Sequence, residues 1–139
     1  MAHNESLRVF IDTEFTDFLD PDLISLGMAA DTGEEFYGEV PFSDRKCSPF
    51  VREGVLNLLG QVPHSFYPSH ADLARAVITW LELVRRRGQV VEICVDAQID
   101  WDLFSGALDY RVPSWATLRH VGRNINESRL RYRHEGIFK

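Results

Sequence analysis

The stretch spanning residues 7–16, LRVFIDTEFT, constrains the rest of the chain most strongly. Val9, Phe10 and Ile11 form an uninterrupted, partly β-branched apolar run, the pattern of a strand covered on both faces. The run stops at Asp12, and Glu14 follows two residues later. If the backbone stays extended through Thr13, both carboxylates project to the same side, about 6.6 Å apart along the strand at roughly 3.3 Å per residue. Two acids at the mouth of a buried strand carry a desolvation cost that a positive partner relieves. A hard divalent cation such as Mg²⁺ takes oxygen ligands of this kind. The plainer alternative is that Asp12 caps a turn and Glu14 is solvated.

The segments that follow read as a small α/β unit. DFLDPD is a turn, with Pro21 and its flanking aspartates as breakers, and residues 23–30 form a second strand. DTGE joins it to a third strand at 35–40 as a β-hairpin, with Gly33 free to take positive φ. Asp31-Thr32-Gly33 also spells the aspartic protease triplet, but the alternation on both sides suits a hairpin turn. A short helix is expected over 50–59, where Phe50, Val51, Val55, Leu58 and Leu59 share a face and Gly60 ends it. QVPHSFYPSH, with His64, Phe66, Tyr67 and His70, is either a loop whose rings stack on bases or one that packs them on the core. Ser69 and Asp72 make a capping-box-like start to a helix over 71–87. Leu73, Val77, Trp80, Leu81 and Val84 give its apolar face, and Arg85, Arg86 and Arg87 close its last turn. After Gly88, residues 90–95 are a second buried-type strand, which the intervening helix makes parallel to the first.

The third carboxylate comes from DAQIDWDLFSGAL. Asp100 precedes Leu103, Phe104 and Leu108, so it begins an amphipathic helix beside the fourth strand. That brings it near the carboxyl ends of strands one and four, where ligands sit in open parallel sheets. Asp96, at the end of the strand, is the second choice for the same role, and an ordinary N-cap is the structural alternative for Asp100. Trp101 either lines a cleft or belongs to the core.

Composition sets the class. The chain of 139 residues is long enough for one domain with a real core, and its apolar and charged fractions, 45% and 26%, are ordinary for a soluble globular protein. Apolar runs are strand-length and MAHNESLR has no hydrophobic signal region, so neither a membrane span nor export is expected, and the cytoplasm is the expected compartment. Cys47 and Cys94 are too few for a zinc site or a disulfide framework. The net charge of −6 is unevenly spread. Residues 1–40 hold ten acids and one base, Arg8, whereas residues 119–139 hold six bases and two acids. An acidic site with a basic segment elsewhere suits an enzyme that binds metal and steers a polyanion; a solvated basic face is the alternative.

FIDTEFT followed by LISLGMAADTGEEFYGEV resembles the opening of the DEDD 3′-to-5′ exonucleases, within the ribonuclease H-like superfamily. The resemblance covers residues 7–40 well and 88–108 more loosely. It is closest to small stand-alone bacterial exoribonuclease-like members, whose first motif also reads D-T-E-F. It implies an α/β ribonuclease H-like mixed sheet with flanking helices: strands at 7–12, 23–30, 35–40, 90–95 and 115–121, helices near 71–87 and 100–108, and a helix or loop at 126–134. The implied activity is metal-dependent removal of nucleotides from the 3′ end of single-stranded RNA or DNA. Asp12 and Glu14 would ligate two Mg²⁺ or Mn²⁺ ions and Asp100 one of them, all three being catalytic. Phe15 and Thr16 would lie beside the terminal nucleotide, with Trp101 as a further substrate contact. The family often has an aromatic residue just before its second aspartate, where this chain has Ile99.

One family feature is missing. The third motif needs a histidine or tyrosine general base and an aspartate five residues later on a C-terminal helix. His120 is followed five residues on by Ile125, and His134 by Lys139, so the C-terminal stretch does not supply it. The expectation is a single domain over 1–139 without its C-terminal motif helix, from a truncated or naturally short relative. Loss of base catalysis alone is worth roughly 10²–10⁴-fold in rate. A catalytically incomplete nucleic-acid-binding module on the same fold, and a small acidic domain holding structural Ca²⁺, are therefore the competing readings. A homodimer that completes the site or covers an edge strand is a further possibility from the family.

Overall fold

The computed structural model describes residues 5–121. Its strands are β1 (Leu7–Phe15), β2 (Leu23–Ala30), β3 (Glu35–Glu39), β4 (Val91–Val95) and β5 (Ala116–His120). They form one mixed sheet in the order β3-β2-β1-β4-β5, so the acid-tipped strand lies at the centre. The β1–β2 and β2–β3 pairs are antiparallel, whereas β1–β4 and β4–β5 are parallel. Parallel neighbours need long crossovers. These carry α2 (His70–Val84), between β3 and β4, and α3 (Gln98–Ala107), between β4 and β5. A short helix, α1 (Pro49–Gly54), lies in the β3–α2 connection.

Strand alternation decides which face is buried by what. Leu7, Val9 and Ile11 join Leu73, Val77 and Leu81 of α2 and Phe104 of α3 in the main core. The α2 residues recur every four positions, which places them on one stripe. Gly38 of β3 lies under this layer: a Cβ there would come within 2.7 Å of Leu73 Cδ1 and 3.0 Å of the Tyr67 ring. A second cluster sits under the irregular connection, where Ile24 packs with Cys47, Val51 and Val55.

Local chemistry explains the boundaries. The β2–β3 turn uses Gly33 at φ 110°, with Gly33 N–H donating to Ala30 O and Ala30 N–H to Glu34 O. Asp31-Thr32-Gly33 is thus hairpin-turn chemistry. Ser69 caps α2, its hydroxyl accepting from Asp72 N–H at 3.1 Å. Four boundaries depart from the sequence reading. The first strand does not stop at Asp12 but continues through Phe15, with a register shift between Glu14 and Phe15. The helix expected over 50–59 breaks after Gly54, and a 3₁₀ turn follows at Leu56–Leu58. The helix expected to reach 87 ends at Val84, because Arg85 turns extended, its guanidinium 4.1 Å from the centre of the Trp115 ring. The arginine triplet therefore follows the last turn rather than closing it. The helix expected from 100 begins at Gln98, so Asp100 is its third residue and not its cap. The element expected at 126–134 lies outside the described residues. No described helix is long and apolar enough to cross a membrane.

Candidate functional site

The alternation that buries Leu7, Val9 and Ile11 against the helices turns Asp12 and Glu14 to the opposite face of the sheet. The extended backbone through Phe15 puts both acids on one side of β1. The register then defines two rows across the meander. Asp12 pairs with Gly27, which pairs with Tyr37; Glu14 pairs with Ser25, which pairs with Glu39. Directly opposed residues share a face, with Cβ atoms about 4.5–5.5 Å apart. Asp12, Glu14, Ser25, Tyr37 and Glu39 therefore occupy one patch.

Tyr37 and Glu39 were not singled out by the sequence, although the i, i+2 spacing in EFYGE contains the signal. Glu39 is buried, accepting the Tyr37 hydroxyl on Oε2 at 2.8 Å and the Gly60 N–H on both oxygens at 3.1 Å. Burial, followed by the hydrogen bond to Glu39, pushes the Tyr37 phenol well above its ordinary value. Tyr37 is thus a neutral donor throughout the physiological range. It also borders a cavity of about 270 Å³ shared with Phe36, Val62 and His64.

Asp100 approaches from the other side of β1. Leu7 N–H donates to Val90 O, so every second amide from Leu7 faces β4. The β1–β4 register runs only to Phe10 paired with Cys94. Thr13 N–H faces the same way beyond that point, and Asp100 Oδ1 accepts it at 3.2 Å, together with Thr13 Oγ1–H at 2.7 Å. Its position in the first turn of α3 also suits the helix dipole.

The three sequence-selected acids are coupled electrostatically. Burial raises the Glu14 pKa from 4.5 to about 7, assisted by the charges of Asp12 and then Asp100. Asp96 is half-buried past the end of β4. The donor set is all oxygen, which fits Mg²⁺ or Mn²⁺, and the repulsion at Glu14 is of the kind that a cation relieves. Among the described residues, however, no three His, Cys, Asp or Glu side chains are grouped so as to hold a metal ion as they stand. A metal here would require the carboxylates to draw together.

The remaining residues selected from the sequence sit nearby in different roles. Phe15 is half-buried and meets Phe18 edge to face at 5.0 Å. Thr16 is fully buried: its N–H donates to Asp22 O, its hydroxyl accepts from Asp22 N–H, and its carbonyl accepts from Ser48 N–H. It thereby closes the loop after β1 onto α1. Trp101 is half-buried against the core, 5.8 Å from Phe104. In the loop after Gly60, Tyr67 stacks on Phe36 at 6.1 Å, while Phe66 is largely exposed. Of the basic C-terminal segment, Arg119 is described; it shares Glu92 Oε1 with Arg8, at 3.2 and 3.3 Å. Residues 122–139 lie outside the described part. Compared with known proteins, the chain matches no protein-family model and no curated protein.

Proposed function

We propose that the protein is a metal-dependent nuclease that removes nucleotides from the 3′ end of single-stranded RNA or DNA, built on a ribonuclease H-like sheet. The observation that carries this reading is the coupling of Asp12, Glu14 and Asp100 at the carboxyl end of the central strand, where burial and two neighbouring charges raise the Glu14 proton affinity. Support also comes from the five-stranded mixed sheet with its flanking helices, an architecture compatible with that fold. In this reading Asp12, Glu14 and Asp100 would be the residues that hold Mg²⁺ or Mn²⁺, two ions in a complete site. When bound, such ions would supply activation of an attacking water and charge stabilisation at the leaving oxygen.

The chain's own residues prepare the site. Thr13 holds Asp100, Thr16 braces the loop that follows the acid pair, and Phe15 offers a ring edge beside the terminal nucleotide. Arg8 and Arg119, two cations on one glutamate, lie on the same sheet face as Asp12 and attract a polyanion.

A second reading, a nucleic-acid-binding module on the same fold that does not hydrolyse, is favoured by one observation. As placed, no three described ligands are grouped for a metal. One assay separates the two: the chain is incubated with 3′-labelled and 5′-labelled single-stranded RNA in Mn²⁺ or in EDTA, beside Asp12→Ala. Early loss of the 3′ label, abolished by chelator and by the substitution, supports the nuclease. Intact RNA from folded protein, with single-strand affinity retained in chelator, supports the binding module.

A further inference from the structure

We propose that the cavity at the outer edge of β3 is a nucleobase pocket for a single strand whose 3′ end lies at the acid pair. The proposal rests on the single-strand reading above, which the nuclease and the binding module share. The cavity, about 270 Å³, is lined by three consecutive strand residues, Glu35, Phe36 and Tyr37, and by Pro63, His64 and Ser65 of the facing loop. Successive strand side chains alternate between faces, so a cavity that touches all three lies off the edge of the sheet.

That edge is only partly closed. Ala30 N–H donates to Glu34 O and Val40 N–H to Ile24 O, which fixes the alternation along β3. Glu35 and Glu39 therefore turn amide and carbonyl away from β2. At Glu39 the loop takes this outward pair: Ser65 O accepts its N–H and Tyr67 N–H donates to its carbonyl, both at 2.8 Å. Towards the start of β3 the loop leaves the edge, and His64, at φ 59°, marks the departure. Glu35 thus presents a donor and an acceptor side by side, the pairing that the hydrogen-bonding edge of a splayed-out base uses. The open edge, Glu35 to Tyr37, is shorter than the about five or six residues of an ordinary strand, which disfavours an added peptide.

The walls suit one flat ring. Tyr37 is fixed by its bond to Glu39, and Phe36 by the Tyr67 and Trp80 rings, each 6.1 Å away. Walls already ordered cost little on binding. Among the described residues no Lys or Arg lines the cavity, so it offers nothing to a phosphate. Its volume is just under the about 300–1,000 Å³ of sites that enclose drug-sized molecules, enough for a single ring system. Asp12, Gly27 and Tyr37 form one row, so Tyr37 is two strand spacings, about 10 Å, from Asp12. At about 3.4 Å per stacked nucleotide, the base in the cavity is about three nucleotides upstream of the end held at the acids.

Fluorescence anisotropy of a 5′-labelled RNA octanucleotide with the full chain tests this, in EDTA to prevent hydrolysis. Wild type and His64→Gly are compared on the intact probe and on probes with one abasic nucleotide at each of the second to fifth positions from the 3′ end. Glycine is at ease at the left-handed φ of His64, so the variant removes a ring without straining the loop. On wild type, one abasic position is expected to weaken binding about 5- to 100-fold, and His64→Gly to weaken binding of the intact probe within the same range. The abasic loss is expected to be at least about fivefold smaller on His64→Gly, because the two changes remove the same contact. His64→Gly that binds every probe as wild type does overturns the proposal, and so does a loss that is equal at all four abasic positions. Wild type that binds no octanucleotide, in EDTA or in Ca²⁺, overturns the single-strand reading together with the proposal, a separate failure.

Discussion

The Tyr37 hydroxyl donates to Glu39 across one pleat of β3, and the same carboxylate receives the Gly60 amide from the loop beyond α1. A buried carboxylate thus ties the edge strand to the irregular connection, on the sheet face that carries Asp12 and Glu14. Removing one partner is costlier than the net worth of the bond, because the other is left desolvated. Tyr37→Phe is expected to destabilise by about 1–2 kcal/mol, and Glu39→Ala, which strands both donors, by about 2–4 kcal/mol. Urea unfolding checks both; a Glu39→Ala value no larger than that of Tyr37→Phe shows that the Gly60 contact contributes nothing.

Glu14 makes the metal-free protein pH-sensitive in a defined direction. Its folded-state pKa, about 7, is above the 4.5 of an ordinary glutamate. Between those values the native state keeps a proton that the unfolded chain releases. The stabilisation from this group is complete below about pH 4.5, declines as pH rises, and is gone above about pH 7. The full shift corresponds to about 3 kcal/mol, which partial solvent access reduces to about 2 kcal/mol. Glu14→Gln, which cannot ionise, is therefore expected to raise Tm in EDTA at pH 8 and to change it little at pH 5. A variant no more stable than wild type at pH 8 contradicts the assigned environment.

Helix α2 supplies Leu73, Val77 and Leu81 to the core, and its first turn depends on Ser69. The Ser69 hydroxyl accepts from Asp72 N–H and donates to the Asp72 carboxylate at 2.9 Å. Ser69→Ala is expected to cost about 1 kcal/mol, and Ser69→Asp about half of that or less, because aspartate caps well but meets Asp72. Thermal unfolding of the two variants tests the order.

What could be read from the sequence, and what could not, follows from the range of the forces involved. The strands at 23–30 and 35–40, the turn at Gly33 and the Ser69 cap are set by residues within a few positions of each other, and the structure places them within a residue of expectation. Helix ends were less legible. Arg85 leaves α2 to meet Trp115, thirty residues further on, and a contact of that separation leaves no local trace. Helix α3 starts two residues before Asp100 because Ala97 caps it without a side-chain bond, which leaves the aspartate three residues later as the local residue with cap chemistry. At the candidate site, the i, i+2 acids share a face by strand geometry alone. The two donors from Thr13 to Asp100 depend on where the β1–β4 ladder runs out, which no spacing encodes.

Metal binding should show the same proton at Glu14 from the other side. A cation and a proton compete for that carboxylate, so below about pH 7 each unit of pH lost is expected to weaken Mn²⁺ binding by up to tenfold, while above it the affinity levels off. At Mn²⁺ a hundredfold above its dissociation constant, the gain in stability is about 2.7 kcal/mol. Thermal unfolding in Mn²⁺ against EDTA should therefore show a larger Tm increase at pH 8 than at pH 6. Asp12→Asn should lose the increase at both pH values while unfolding cooperatively in EDTA, since Asp12 is on the face away from the main core. An Mn²⁺ effect that is the same at pH 6 and pH 8, or that survives Asp12→Asn, would move the cation away from the D-T-E strand and remove the basis for nuclease chemistry there.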